Sequence, residues 1–164
     1  MLIGVVSDTH GHIGYTREAI SVLEGLPVEF VLHCGDIGST AIVPLFAKWP
    51  THFVFGNVDD DGDELQAAIE AAGQTCHRRF GTLEVVGVKV AFLHSDDGHL
   101  FDETIRGGQY DLVCYGHTHR AEQHKSGKTL VLNPGALYRA SPHTIATVEL
   151  PSLTAKHIVV NDRV

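Results

Sequence analysis

The sequence has no apolar run that could cross a bilayer. No window of about 18 or more consecutive apolar residues, the length needed for a membrane span, occurs in the chain. The chain also begins with a strand-like pattern, without the basic head that opens a secretory signal peptide. We therefore expect a cytoplasmic protein with no membrane association.

Cysteine and positive charge are scarce as well. The three cysteines, Cys34, Cys76 and Cys114, form no C-x-x-C pair, and their odd number argues against a disulfide framework. The formal net charge of -8 disfavours nonspecific binding to nucleic acid, which depends on clustered lysine and arginine. A small phosphate ester stays open as a substrate, because bound dications would outweigh the global charge inside a pocket.

An alternation of strand and helix patterns fills the first half of the chain. At 164 residues and 43% hydrophobic composition we expect one domain over residues 1–164. Strands are predicted at 2–6, 30–34 and 53–55, and helices at 15–26, 39–48 and 63–73. This βαβαβα series predicts a parallel sheet with helical crossovers.

The second half is richer in strands. Strand-like runs at 83–86 and 88–93 are separated by the single residue Gly87, which predicts a tight turn and an antiparallel pair. The remaining predicted elements are a short helix and four strands, at 101–106, 112–115, 129–132, 144–149 and 157–160. We expect an α/β fold of two packed mixed sheets with helices outside.

Side chains of the types that can bind metal ions follow the ends of five predicted strands. They are Asp8 and His10, Asp36, Asn57 and Asp59, His94, and His117 and His119. In an open α/β sheet the carboxyl ends of the strands converge on one crevice, so these residues can become neighbours. Their N and O donors are those that first-row dications prefer. Each motif is weak alone, but together they predict one hydrolytic site with two metal ions.

The order D-x-H, G-D, G-N-x-D, H and G-H-x-H resembles the calcineurin-like metallophosphoesterase superfamily. The short chain and its Asn133-Pro134-Gly135 resemble the small bacterial and archaeal phosphodiesterases of the YfcE type. The resemblance implies a four-layer α/β/β/α sandwich with a dinuclear site. It gives one metal ion Asp8, His10, Asp36 and His119, and the other Asp36, Asn57, His94 and His117, with Asp36 bridging.

The resemblance also implies how such a site works. A hydroxide bridging two divalent ions would attack a phosphate ester, most simply a diester. Manganese is the favoured metal, and iron, zinc, nickel and cobalt suit the same donors. We predict catalytic roles for Asp36, Asn57, Asp59 and His94. Asp59, His12 and His99 are loop candidates for protonating the leaving group, with orientation of other residues or solvent exposure as the alternative for each.

Three positions depart from the family pattern. Ser95-Asp96-Asp97 follows His94 where the family often has glycine, and this acidic insertion could reshape the pocket or add a cation contact. Ala136 replaces the serine that commonly follows Asn-Pro-Gly, and Val58 stands where many larger relatives carry a histidine proposed as the general acid.

Two other classes of function stay open. One is a scaffold or binding module with weak catalysis, as in a retromer subunit of this fold that has lost a ligand histidine. The other is a mononuclear zinc hydrolase, which would leave Asp36 or Asn57 without a role. The physiological substrate and the formation of a homo-oligomer lie beyond what the sequence indicates.

Overall fold

The computed structural model describes residues 1–59 and 62–160, and eleven strands lie within these ranges. In chain order they are β1 (Leu2–Val6), β2 (Val28–His33), β3 (Thr51–Phe53), β4 (Thr75–Cys76), β5 (Phe80–Val85), β6 (Val88–Leu93), β7 (Leu112–Cys114), β8 (Ala121–Ser126), β9 (Thr129–Pro134), β10 (Thr144–Glu149) and β11 (Thr154–Val159). The helices are α1 (Ile13–Glu24), α2 (Gly62–Ala71), α3 (Gly98–Arg106) and a 3-10 helix (Thr40–Phe46). None of these described helices has the length and apolar character to cross a membrane.

The strands form two mixed sheets. The first sheet has the order β11-β10-β1-β2-β3-β4, with β1 to β4 parallel and β10 and β11 antiparallel. The second has the order β5-β6-β7-β9-β8, with parallel central strands and antiparallel edges. The parallel run β1-β2-β3 is the outcome that the βαβαβα pattern predicts, because each crossover contains a helix.

Three apolar clusters stack the elements into four layers. Leu23, Phe46 and Ile69 bury the helical face of the first sheet, and a second cluster, including Leu32 and Phe92, fills the space between the sheets. The third cluster packs α3 against the outer face of the second sheet. The order is therefore helices, sheet, sheet and helix, which confirms the predicted α/β/β/α sandwich.

Several predicted boundaries differ from the structure for identifiable reasons. The predicted helix at 39–48 is a 3-10 helix that contains Pro44, whose ring lacks the N–H that a continuing α-helix needs. The helix predicted at 101–106 begins at Gly98, because the Asp97 side chain accepts a hydrogen bond from the Leu100 N–H and caps it.

The two strands absent from the prediction are β4 and β8. The first has two residues, and the second is polar and almost wholly exposed, so neither shows an apolar alternation. The single domain over 1–164 stays a prediction, and residues 60, 61 and 161–164 lie outside the described ranges.

A buried histidine joins the ends of β1 and β2. The Nδ1 atom of His33 accepts from the Gly35 N–H at 3.3 Å, and its Nε2 lies 3.1 Å from the Thr9 hydroxyl. Because that hydroxyl donates to the Ile37 carbonyl at 3.0 Å, it accepts from Nε2–H. The network requires a neutral imidazole, and burial lowers the pKa of His33 to about 4.

We expect His33 to make folding stability sensitive to acid. Between about pH 6.5 and pH 4 the unfolded chain binds a proton at His33 that the folded chain does not, so acidification lowers the free energy of unfolding. This single group accounts for a loss of about 3 kcal/mol at the lower limit. Urea unfolding across this range should show a smaller loss for His33→Gln than for the wild type. The exposed His124→Gln is the control, and equal losses in all three proteins would contradict the assignment.

Candidate metal centre

The seven predicted ligands lie along one edge, where the loops of the two sheets meet. Asp8 and His10 follow β1, Asp36 follows β2, Asn57 follows β3, His94 follows β6, and His117 and His119 follow β7. These are the carboxyl ends of parallel strands, which open-sheet geometry brings together.

The first group of contacts surrounds Asp8. Its Oδ1 atom lies 3.1 Å from His119 Nε2, 3.6 Å from His10 Nε2 and 3.9 Å from His94 Nε2. Its other oxygen, Oδ2, accepts from the Ser7 hydroxyl at 2.6 Å and from the His117 N–H at 3.1 Å. One carboxylate oxygen is therefore anchored by the chain, and the other faces three imidazoles.

The Asp36 carboxylate is divided in the same way. Oδ1 accepts from the Val58 N–H at 3.1 Å, whereas Oδ2 lies 3.1 Å from His94 Nε2 and 3.3 Å from His10 Nε2. Asp36 thus has one oxygen between histidines from the two sheets. This is the position that a bridging ligand would require.

The remaining predicted ligands lie beside this group. His117 Nδ1 is 3.1 Å from the Asn57 Oδ1 atom, and the His117 and His94 ring centroids are 5.1 Å apart. His94 donates from Nδ1 to the Cys34 carbonyl at 2.8 Å, which fixes the ring and leaves Nε2 facing the carboxylates. All seven side chains are consequently linked by direct contacts.

Unpaired buried atoms show that these donors suit a cation. Among residues 1–59 and 62–160, four buried side-chain polar atoms have no hydrogen-bond partner. Three belong to this cluster, namely Asp8 Oδ1, His10 Nε2 and His94 Nε2. Buried polar atoms are rarely left unpaired in native proteins, and carboxylate oxygens and imidazole nitrogens are ligands for divalent metals. The groups Asp8–His10–His119 and Asp8–Asp36–His94 each have donor atoms close enough to share an ion.

The ionisation of the cluster is mutually dependent. Burial acts to raise the pKa of both Asp8 and Asp36. Contacts with His10 and His119 nevertheless lower the pKa of Asp8, and the contact with His94 lowers that of Asp36. Burial acts to lower the pKa of His94, yet its contact with Asp36 and the charge of Asp8 raise it. The Asp8 contact raises the pKa of His119. Protons on imidazoles thus compensate the buried carboxylates, and a dication would take their place.

Backbone conformation is unusual at the same residues. Five of the seven have positive φ angles, namely Asp8 (56°), His10 (45°), Asp36 (52°), His117 (70°) and His119 (58°). This left-handed region is uncommon for residues other than glycine and costs on the order of 1–3 kcal/mol each. Backbone hydrogen bonds hold the turns in place, including Asp8 N–H to the Gly35 carbonyl at 3.0 Å and His10 N–H to the Asp36 carbonyl at 2.9 Å.

The predicted catalytic residue Asp59 has a different environment. Its buried carboxylate accepts from the N–H groups of Ile37, Gly38 and Gly56 at 3.1, 2.9 and 2.8 Å. Burial raises the pKa of Asp59, and these three hydrogen bonds oppose the shift. The contacts favour the alternative that Asp59 orients the loops carrying Asp36 and Asn57. Its catalytic role stays a prediction.

The other loop candidates for an acid also have local partners. His12 caps α1, because its Nδ1 accepts from the Tyr15 N–H at 3.2 Å, and its ring stacks on Tyr15 with centroids 3.8 Å apart. His99 lies exposed on α3, with Nδ1 3.7 Å from a Glu103 carboxylate oxygen. These contacts favour the orientation and exposure alternatives.

Two residues near the cluster are not evident from the sequence. The Tyr138 ring centroid is 5.2 Å from that of His10, and the Arg139 guanidinium lies 5.3 Å from the Tyr138 ring. His119 Nδ1 is also 3.4 Å from the Arg139 carbonyl. Both residues follow β9 in an irregular loop, so no periodic pattern marks them. Asn133-Pro134-Gly135 is the available signal, since Asn133 donates to the Gly116 carbonyl and the Thr118 hydroxyl, both at 3.0 Å.

Gly56→Ala should disrupt the cluster, because a Cβ atom at Gly56 would overlap the Asp36 carboxylate and backbone. We expect weaker binding of Mn²⁺ and a destabilisation of about 1–3 kcal/mol, the usual cost of overpacking. Calorimetric metal titration and thermal unfolding measure the two effects. Gly98→Ala is the matched control, since its Cβ would meet no atom within 4 Å. A Gly56→Ala protein with unchanged metal affinity would refute the close approach.

Comparison with known proteins matches this architecture to one family. Residues 1–153 match the calcineurin-like phosphoesterase superfamily domain. Phosphodiesterase MJ0936 of Methanocaldococcus jannaschii is 31% identical over 138 residues, covering 82% of this chain and 83% of the relative. A solved archaeal phosphodiesterase has a TM-score of 0.89 at 29% identity, covering 97% of this chain and 99% of its own. The E. coli phosphoesterase YfcE has a TM-score of 0.67 at 16% identity, covering 98% and 100%, which shows a shared fold. The chain belongs to the calcineurin-like phosphoesterase superfamily.

Proposed function

We propose that this protein is a phosphodiesterase that hydrolyses a small phosphate ester with two divalent metal ions. The observation that carries the proposal is the set of buried atoms on Asp8, His10 and His94 that face one another without a hydrogen bond, in a phosphoesterase-family chain. The name of the M. jannaschii relative supports a diester as substrate. The proposed metal is manganese, and the proposed location is the cytoplasm.

The contacts support the assignment of ligands to two ions. Asp8, His10 and His119 would hold one ion, and Asn57, His94 and His117 the other, with Asp36 shared. Supporting this assignment, Asp36 Oδ2 lies between His10 and His94, and Asn57 contacts His117. When bound, such a pair of ions lowers the pKa of a water nucleophile and neutralises charge on the phosphoryl oxygens.

The chain's own residues supply orientation. Ser7 and the His117 N–H hold one Asp8 oxygen, the Val58 N–H holds one Asp36 oxygen, and the Cys34 carbonyl holds His94 Nδ1. Each of these bonds leaves the opposite atom of the side chain directed into the cluster. Donor atoms that are already fixed in this way lose little entropy when they bind an ion.

The proposal makes metal and Asp36 indispensable. We expect chelator-treated protein to lose hydrolysis of bis(p-nitrophenyl) phosphate and to regain it with Mn²⁺. Asp36→Asn should reduce kcat by more than about 100-fold, because loss of a ligand exceeds the effect of losing an outer partner. Asp102→Asn, on the exposed face of α3, should retain activity. Full activity of the chelated protein or of Asp36→Asn would exclude the mechanism.

The site should favour esters whose leaving alcohols are acidic. Val58 is exposed and occupies the position where larger relatives carry a histidine. His12 and Asp59 accept hydrogen bonds from backbone N–H groups, and His99 lies beside Glu103 on α3. A leaving group that receives no proton must itself stabilise negative charge.

A series of aryl and alkyl phosphodiesters of graded leaving-group pKa tests this dependence. We expect kcat/KM of the wild type to fall steeply as that pKa rises. For Val58→His the decrease in kcat/KM should be less steep, because the histidine provides an acid. Val58→Asn, which is polar but cannot donate a comparable proton, is the control. Equal turnover of unactivated alkyl monoesters and activated diesters by the wild type would refute this substrate preference.

The alternatives make different predictions for metal and turnover. A scaffold of the same fold would show no metal-dependent rate, and a mononuclear zinc hydrolase would bind one tight ion. The contacts of Asp36 and Asn57 with site histidines favour two ions, since both side chains then have a role. Counting bound metal per chain, together with the turnover assay, separates the three.

A further inference from the structure

The segment between β4 and β5 crosses from the first sheet to the second beside the metal centre. Its backbone is fastened to the chain that leads to Asn57. His77 N–H donates to the Phe53 carbonyl at 2.9 Å, and the Phe55 N–H donates to the Arg78 carbonyl at 2.5 Å. The next residue, Arg79, therefore lies beside the loop that follows β3.

The Arg79 guanidinium contacts two loops that carry predicted metal ligands. Nη1 donates to the Gly56 carbonyl at 2.9 Å, and Nη2 forms an ion pair with the Asp96 carboxylate. Gly56 directly precedes Asn57, and Asp96 lies two residues after His94. One planar side chain thus joins a loop of the first sheet to a loop of the second, using the divergent donors that distinguish arginine from lysine.

Gly56 transmits this contact to the cluster. Its N–H donates to Asp59 at 2.8 Å, and its Cα lies so close to Asp36 that a Cβ would overlap the carboxylate. A displacement of the Gly56 peptide would therefore move Asn57 and disturb Asp36. The Gly56 carbonyl that Arg79 contacts also accepts from the Asp59 N–H at 3.3 Å, so the arginine bond is one of several that fix this turn.

The second anchor is the acidic segment after His94. Asp97 caps α3 by accepting from Leu100 N–H at 3.0 Å, and the Ser95 hydroxyl donates to the Gly116 carbonyl at 3.3 Å. Asp96 lies between these two fixed residues and is directed at Arg79. The geometry therefore gives the acidic departure from the family pattern a partner other than a metal ion.

We propose that Arg79 and Asp96 position the half of the metal centre formed by Asn57 and His94, an inference that rests on the proposed function. An exposed ion pair by itself contributes little to stability, and the Arg79 side chain is 49% exposed. The ion pair instead fixes the loop after β3, which carries Asn57, relative to the loop after β6, which carries His94. Groups that hydrogen-bond directly to metal ligands typically change metal affinity by about 10- to 100-fold when removed, and Arg79 acts one residue beyond a ligand, so we expect an effect at the lower end of this range.

Calorimetric titration with Mn²⁺ tests this role independently of turnover. The wild type should bind two ions per chain. Arg79→Met should weaken binding of the ion held by Asn57, His94 and His117 by about 10-fold. The other ion should be affected less, because it shares Asp36 but its own ligands Asp8, His10 and His119 have no contact with Arg79. Arg79→Lys should recover only part of the loss, and Asp96→Asn should fall between Arg79→Met and the wild type. Arg106→Met, which removes an exposed arginine paired with Asp102 on α3, is the matched control.

The outcomes separate the two proposals. Suppose that the wild type binds two ions and hydrolyses the diester, and that Arg79→Met binds both ions as tightly as the wild type does. This result overturns the role of Arg79 and leaves the proposed function standing. Unchanged metal binding with a raised KM in Arg79→Met also overturns it, because the residue would then contact substrate. A wild type with no metal-dependent turnover overturns the proposed function. A wild type that binds a single ion overturns both. Circular dichroism and thermal unfolding of each variant establish that the fold is retained.

Discussion

The burial of Asp8 and Asp36 is the constraint on which the site depends. Their side chains are 0% and 4% exposed, and they lie at the junction of two sheets. An ionised carboxylate removed from water is strongly destabilising unless opposite charge or hydrogen bonds compensate it. The chain provides imidazoles and a few fixed N–H and O–H donors, and it leaves one oxygen of each carboxylate for a cation. The fold therefore stabilises these charges only in part and leaves donor atoms that could hold a metal ion.

The parallel strands explain how this arrangement is built. Their carboxyl ends point to one edge, so each strand of the central set delivers one short loop to the cluster. The loops then turn sharply, with five predicted ligands in the left-handed region. Gly56 and Gly116 remove the side chains that would keep neighbouring loops apart, since a Cβ at Gly116 would overlap Ser7. The packed layers behind this edge stabilise the strained backbone of the ligands and the close approach of neighbouring loops.

The sequence predicts the fold well and also which side chains lie close together in the structure, because both depend on short local patterns. The apolar run of β1 and the polar residues that follow it are adjacent in the chain, and the same is true at β2, β3, β6 and β7. The prediction is weaker where a contact depends on the tertiary structure. The polar strand β8 pairs only because β9 lies beside it, and Tyr138 approaches His10 through an irregular loop. Arg79 and Asp96 are 17 residues apart with no motif connecting them.

Asp59 shows why the residue type alone does not determine the environment of a carboxylate at such a site. The sequence places a carboxylate two residues after Asn57, as suitable for catalysis as Asp36 by composition. In the structure its oxygens are occupied by three backbone N–H groups, whereas Asp36 has an oxygen that faces two histidines. The difference is the number of backbone donors in reach, which is set by how the loops after β2 and β3 meet. A carboxylate with its hydrogen bonds satisfied stabilises the loops, and one left partly unsatisfied is available for chemistry. The same criterion separates Asp96, which is paired with Arg79, from the buried acids that face the centre.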